Sequence, residues 1–173
     1  MWGVFVETRE LITKWLLEES YTVSNMGSAG MPGIEWGLNV STPGVPGVKF
    51  SIICPSNKKD RVVLVLGVVI SPEHRRELEK LGVNERIRLL HSILLKALLV
   101  CIDCKIAVKP AISDPQAIVI NIEVFNEEIE KYGKHHFMKI LYRLVNTYLA
   151  IVSGFNEWVP VVVSDKQHYY SYM

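Results

Sequence analysis

The run from Arg61 to Ile70, RVVLVLGVVI, places the tightest limit on the fold. Valine, leucine and isoleucine fill both its odd and its even positions, and β-branched residues favour extended backbone. The run is far shorter than the ~20 apolar residues that a helix needs to cross a bilayer. Apolar character on both faces predicts a central strand covered on both sides. Ser71-Pro72-Glu73 follows at once: an N-cap serine, a proline at the first helical position and an acid in the first turn. A strand therefore hands over directly to a helix.

Two alternating stretches precede this run. In Ile34 to Val40, Ile34, Trp36, Leu38 and Val40 share one face. In Val48 to Ile53 the same role falls to Val48, Phe50 and Ile52, and the turns STPGVPG and PSNKKD bound it. Upstream, residues 7–20 place Leu11, Ile12, Trp15 and Leu16 on one helical face, and SNMGSAGMPG reads as a loop. Downstream, the helix from Ser71 is expected to stop at Gly82. Asn84 then caps a helix to about residue 101 that buries Ile87, Leu90, Leu94 and Leu98. CKIAVK alternates again, and Lys105 and Lys109 suit an edge strand. AIVINIEV is the fifth strand, after a turn at PAISDP. A helical turn over 126–131 ends at Gly133, and a last helix runs to Val152, where Ser153-Gly154 stops it. WVPVVV reads as an added edge segment because of Pro160.

The order is α-βββ-α(α)-ββ-α, an α+β protein with an antiparallel five-stranded sheet. The expected organisation is a single domain over 1–163 and a C-terminal tail over 164–173. Apolar residues make up 49% and charged residues 21% of the chain, and the mean hydropathy is +0.21. Surplus apolar surface points to a homodimer and to a groove for a peptide or protein partner. A net charge of +1 gives no sign of a strong field for nucleic acid or for an anionic membrane. His91, Ser92 and Lys96 interrupt the most apolar helix, so no membrane span is expected. MWGVFVETRELITKW lacks the basic start and unbroken apolar core of a signal peptide, and a cytoplasmic location follows.

Cys101 and Cys104 form a C-x-x-C. In redox pairs this motif opens a helix, whose N-terminal dipole lowers the thiol pKa. Here it closes a helix and enters a strand, an order that favours cysteines serving the fold. A disulfide stays open. So does a metal site, which would need Cys54 and one of His74, His91, His135, His136 or His168 to converge. Lys134, His135, Lys139 and Arg143 lie near one stripe of the last helix. Either they form a solvated face, balanced by Glu127, Glu128 and Glu130, or they meet an acidic partner or a phosphate backbone. Trp158, Tyr169, Tyr170 and Tyr172 suit interface anchors, or pack on their own domain. No hydrolase elbow, zincin motif, Walker motif or dinucleotide fingerprint is present. No catalytic residue and no cofactor are expected, and GSAGMPG leads into a strand rather than a helix, against a phosphate loop.

The element order, with DRVVLVLGVVISPEHRRELEKL (Asp60 to Leu81) and HHFMKILYRLVNTYLAIV (His135 to Val152), resembles an uncharacterised archaeal family. That family has the type III secretion chaperone-like fold, shared with YbjN-like proteins. The resemblance implies a dimer that holds an unfolded stretch of a partner along its surface. It carries no active-site residues. The near-neutral charge departs from the acidic balance of such chaperones. The expected function is a non-enzymatic, dimeric, chaperone-like binding module. Alternatives are a nucleic-acid-associated protein using the basic stripe, and a thiol or metal protein centred on the C-x-x-C.

Overall fold

A computed structural model describes residues 2–27, 32–44, 47–158 and 160. Its elements are α1 (Trp2–Glu18), β1 (Thr22–Asn25), β2 (Ile34–Ser41), β3 (Lys49–Pro55) and β4 (Arg61–Val69), then α2 (Pro72–Lys80), α3 (Val83–Val100), β5 (Lys105–Ala111), β6 (Asp114–Phe125) and α4 (Asn126–Trp158). Among the described residues the sheet has six strands, in the order β1-β2-β3-β4-β6-β5. The protein is thus α+β, as expected, with six strands rather than five. The added strand is β1, which pairs antiparallel with β2 through Val23 opposite Val40. Its sequence, TVSN, is short and polar, and only Val23 is partly withdrawn from solvent. An edge strand of that kind carries no alternation to read.

The chain divides into two compact units, residues 1–65 with 121–142 and residues 66–120 with 143–173. In the first, β2 and β3 pair from Trp36–Cys54 to Ser41–Lys49, after a bulge between Ile34 and Trp36. Ile52 of β3 faces Leu64 of β4. Ile12, Leu16, Leu38, Ile52, Leu64 and Phe137 are fully buried there, and the Trp15 and Phe137 rings lie 6.0 Å apart. In the second unit Leu66, Leu89, Leu90, Ile93, Ile118 and Ile120 form the core.

β4 is central but is not covered on both sides. Val62, Leu64, Leu66 and Val68 are buried, Val63 and Val65 are half-exposed, and Gly67 and Val69 are exposed. Composition alone cannot tell a two-sided strand from a one-sided strand with a half-wet apolar back. Ser71 does cap α2: its Oγ accepts from the His74 amide at 3.2 Å. The helix is over by Lys80, one turn residue short of Gly82. Gly82, not Asn84, caps α3, and its N–H donates to Glu85 Oε2 at 3.1 Å. Asn84 sits exposed in the first turn. The last helix does not stop at Ser153-Gly154 but continues to Trp158. A Cβ on Gly154 would lie 3.1 Å from Ile93 Cγ1, so this glycine admits a close approach of α3 and keeps its helical place. Trp158 thus belongs to α4, and Val159 and residues 161–163 of the expected edge segment lie outside the described residues.

Gly133 breaks α4 at the expected position, with φ 67° and ψ −164°. That backbone region is essentially closed to residues with a side chain. No atom would obstruct a Cβ there, so the constraint is conformational rather than steric crowding by neighbours. Gly133→Ala is expected to cost about 1–3 kcal/mol in urea unfolding. Gly133→Asn should do no better, because its local hydrogen bonds favour the left-handed helical region at a different ψ. A full rescue by asparagine would refute this account.

Candidate functional site

α3 is apolar on two faces. The inward face carries Leu89, Leu90, Ile93 and Ala97, all buried. Of the expected set Ile87, Leu90, Leu94 and Leu98, Leu90 is buried, Ile87 and Leu94 are half-buried and Leu98 is 41% exposed; Leu89, Ile93 and Ala97 take the remaining inward places. The apolar run offers several helical stripes, and periodicity does not choose between them. The outward face is the unusual one. Leu95 is 60%, Leu99 76% and Ile102 87% exposed. Leu95, Leu98 and Leu99 stand at i, i+3 and i+4 on the last turns of α3, and Ile102 follows just past the helix end, after the extended Cys101. Beside it, Lys96 Nζ pairs with Glu157 Oε2 at 2.6 Å, which ties the last turn of α4 to this part of α3.

A disulfide closes the end of the outward face. Cys101 and Cys104 are bonded, with Cα atoms 5.3 Å apart. Both are buried. Cys101 N–H donates to Ala97 O at 3.1 Å, finishing α3. Cys104 Sγ lies 3.9 Å from Thr147 Oγ1, and the Thr147 hydroxyl donates to Arg143 O at 2.7 Å. The bond ties the helix end to the start of β5. Cys54 is a buried free thiol on β3. Burial pushes its pKa up to about 11, so it stays protonated and unreactive at neutral pH. Among the described residues no three His, Cys, Asp or Glu side chains come together to hold a metal.

The basic residues of α4 are not gathered into one free stripe. Lys134 Nζ lies 2.9 Å from Glu18 and 2.7 Å from Glu19, at the end of α1. These acids, rather than Glu127, Glu128 and Glu130, offset its charge. Arg143 pairs with Asp103 at 3.0 Å, inside the loop that the disulfide closes. His135 and Lys139 are exposed. Ser71 and His74 invite a nucleophile reading, since Oγ and Nδ1 are 2.9 Å apart. Yet both residues are buried, Oγ serves as a helix cap, and the imidazole packs edge-on to Phe155 at 5.7 Å. The pair holds the start of α2. Trp158 is 55% exposed at the end of α4. His168, Tyr169, Tyr170 and Tyr172 lie outside the described residues.

The family model for an uncharacterized conserved protein, DUF2299, matches residues 8–155. The chain belongs to this family. Among solved structures, the DUF2299 chain is similar to the crystal structure of an uncharacterized protein from Methanothermobacter thermautotrophicus. The TM-score is 0.73 at 16% identity, over 87% of this chain and 98% of that one. Identity that low shows a shared fold. No curated protein matches.

Two outcomes are expected. The denatured mass without reductant should be short by two hydrogens, and reduction should cost about 2 kcal/mol, the loop entropy of so short a bridge. Cys101→Ser with Cys104→Ser should lower stability by the same amount and leave the oxidised mass deficit absent. The second concerns pH. The Lys134 hydrogen bond holds the Glu18 carboxyl below its ordinary 4.5. Its stabilisation is therefore present above 4.5 and is lost as the pH falls through the lowered value. The melting-temperature gap between wild type and Lys134→Ala should then be open at pH 7 and closed at pH 2. A gap that persists unchanged at pH 2 would rule out the ion pair as its source.

Proposed function

We propose that this DUF2299 protein is a non-enzymatic binding module. It acts as a cytoplasmic homodimer that holds a peptide or protein partner in the manner of type III secretion chaperone-like, YbjN-like proteins, with residues 1–163 as the working domain. The observation that carries the reading is the exposed apolar face of α3, Leu95, Leu98 and Leu99, with Ile102 exposed just past the helix end. Contiguous exposed apolar surface of this sort is typical of docking sites. An amphipathic helix presenting side chains at i, i+3 and i+4, as Leu95, Leu98 and Leu99 do, is a recurring recognition element. The ion pairs at Lys134 and Arg143 speak against the basic stripe as a nucleic-acid surface, because those charges already have partners. Burial of both disulfide sulfurs speaks for a staple rather than a thiol enzyme. Among the described residues no helix is long and apolar enough to cross a membrane.

Native mass spectrometry should give twice the chain mass. The protein should also delay aggregation of reduced insulin, an unfolded model client. Leu95→Glu with Leu99→Glu should weaken that delay by roughly tenfold or more, as expected from losing two apolar anchors of about 1 kcal/mol each. A monomeric mass together with no delay at equimolar protein would sink the proposal.

A further inference from the structure

We infer that the partner of the exposed α3 face is an amphipathic helix of another protein, apolar at one end of its contact and acidic at the other. The inference rests on reading that face as the docking surface. It starts from the half of the face that the leucines do not fill. Residues 84, 88, 91, 95, 98 and 99 share one side of α3 by their helical spacing, and all are exposed. The C-terminal half is Leu95, Leu98 and Leu99, and the N-terminal half is Asn84, Arg88 and His91. Arg88 is charged at every physiological pH, and His91 carries a ring N–H in either protonation state. Among the described residues neither side chain has an ion pair or hydrogen bond within the protein. The nearby acids are already engaged. Glu85, the only acid in the α3 sequence, accepts from the Gly82 N–H at 3.1 Å. Glu157 holds Lys96 at 2.6 Å, and Asp103 holds Arg143 at 3.0 Å. The basic half therefore complements carboxylates brought from outside.

Backbone chemistry fixes the form of the partner. An extended segment laid on leucine side chains would bury N–H and C=O groups with nothing to pair them, whereas a helix satisfies its own. Spacing fixes its pattern. Leu95 stands two turns from Arg88 and Leu99 three, about 10 Å and about 16 Å along the axis. The partner's carboxylates thus lie two to three turns from its apolar side chains. A second copy of this chain does not supply that pattern. Set parallel, Arg88 of one copy meets Arg88 of the other. Set antiparallel, with leucines on leucines, the acid brought towards Arg88 is Asp103, which Arg143 already holds.

The test uses the full oxidised chain and three fluorescent helical peptides. All carry leucines at i, i+3, i+4 and i+7. Two turns further on, and again a turn later, the first has glutamates, the second glutamines and the third lysines. The glutamate peptide should bind roughly fivefold more tightly than the glutamine peptide, since an exposed ion pair adds little by itself. The lysine peptide should bind worst. Arg88→Glu with His91→Glu should invert the order, so that the lysine peptide binds best. Arg88→Gln with His91→Gln, which removes charge without reversing it, should bring the three within about twofold of one another. Raising the salt to ~0.5 M should shrink the wild-type preference in the same way. Leu95→Ala with Leu99→Ala should weaken every peptide by roughly tenfold or more. Equal binding of the three peptides by wild type, with the loss in the leucine variant intact, would overturn the acidic partner and leave the docking surface standing. A glutamate preference that survives Arg88→Glu with His91→Glu would overturn the role of these two residues. Binding that the leucine variant does not weaken would overturn the docking surface and the inference with it. No binding of any peptide would overturn the inference, while the insulin assay judges the docking surface separately. A native mass that is doubled in wild type and single in the leucine variant would hand the face to a second copy and overturn the outside partner.

Discussion

One-sided burial of β4 governs the sheet. Val62, Leu64, Leu66 and Val68 are withdrawn from water while their neighbours stay partly wet. A slip of one residue would carry all four to the wet face. Both ends of the strand are pinned against that slip. Asn126 N–H donates to Asp60 O at 2.9 Å at one end, and Ile70 N–H donates to Gln116 O at 3.0 Å at the other. Asn126 Nδ2 adds a bond to Lys59 O at 2.9 Å. On the wetter face Arg61 spans Asp60 and Glu123 and lies 4.4 Å over the Phe125 ring. Its hydrogen bonds raise its pKa further, so the charge is permanent.

The connection between α2 and α3 solves a different problem. A helix end leaves its last carbonyls without partners. Arg86 reaches back and donates to Leu78 O at 3.0 Å and Leu81 O at 3.2 Å, and reaches across to Ser113 O at 2.7 Å. One guanidinium thus closes α2 and holds the β5–β6 turn. Arg86 stands on α3 itself, so this anchoring also helps set the rotation of that helix. Leu89, Leu90, Ile93 and Ala97 turn inward on the same helix, and Leu95, Leu98 and Leu99 turn out.

That rotation marks the boundary of what the residues alone revealed. The strands over 34–40, 48–53 and 61–70 were legible because alternation and turn residues agree locally. The Ser71 cap and the Gly133 break were legible for the same reason. The inward face of α3 was not, because long-range contacts from Arg86 and Gly154 help decide it. The partners of Lys134 were hidden too, since Glu18 and Glu19 are more than a hundred residues away in the chain. Gly154 misled in an instructive way. A glycine inside a helix costs about 1 kcal/mol relative to alanine, which normally marks an end. Here the missing Cβ lets Ile93 approach, and packing outweighs the propensity.

A single exposed leucine carries no message, because much of any protein surface is apolar. What separates Leu95, Leu98, Leu99 and Ile102 from that background is their arrangement. At a transfer value of ~25 cal/mol per Å², burying even half of one leucine side chain is worth on the order of 1 kcal/mol. Four such side chains within eight residues of chain therefore represent several kcal/mol of unrealised burial. The inward face shows that the helix had no need of them to hold its place, since Ile93 and Ala97 are already fully packed. Nor do they serve the helix end, which the Cys101–Cys104 bond secures by itself. Side chains that stabilise neither the core nor the helix terminus are the surface on which the proposed docking of a partner rests.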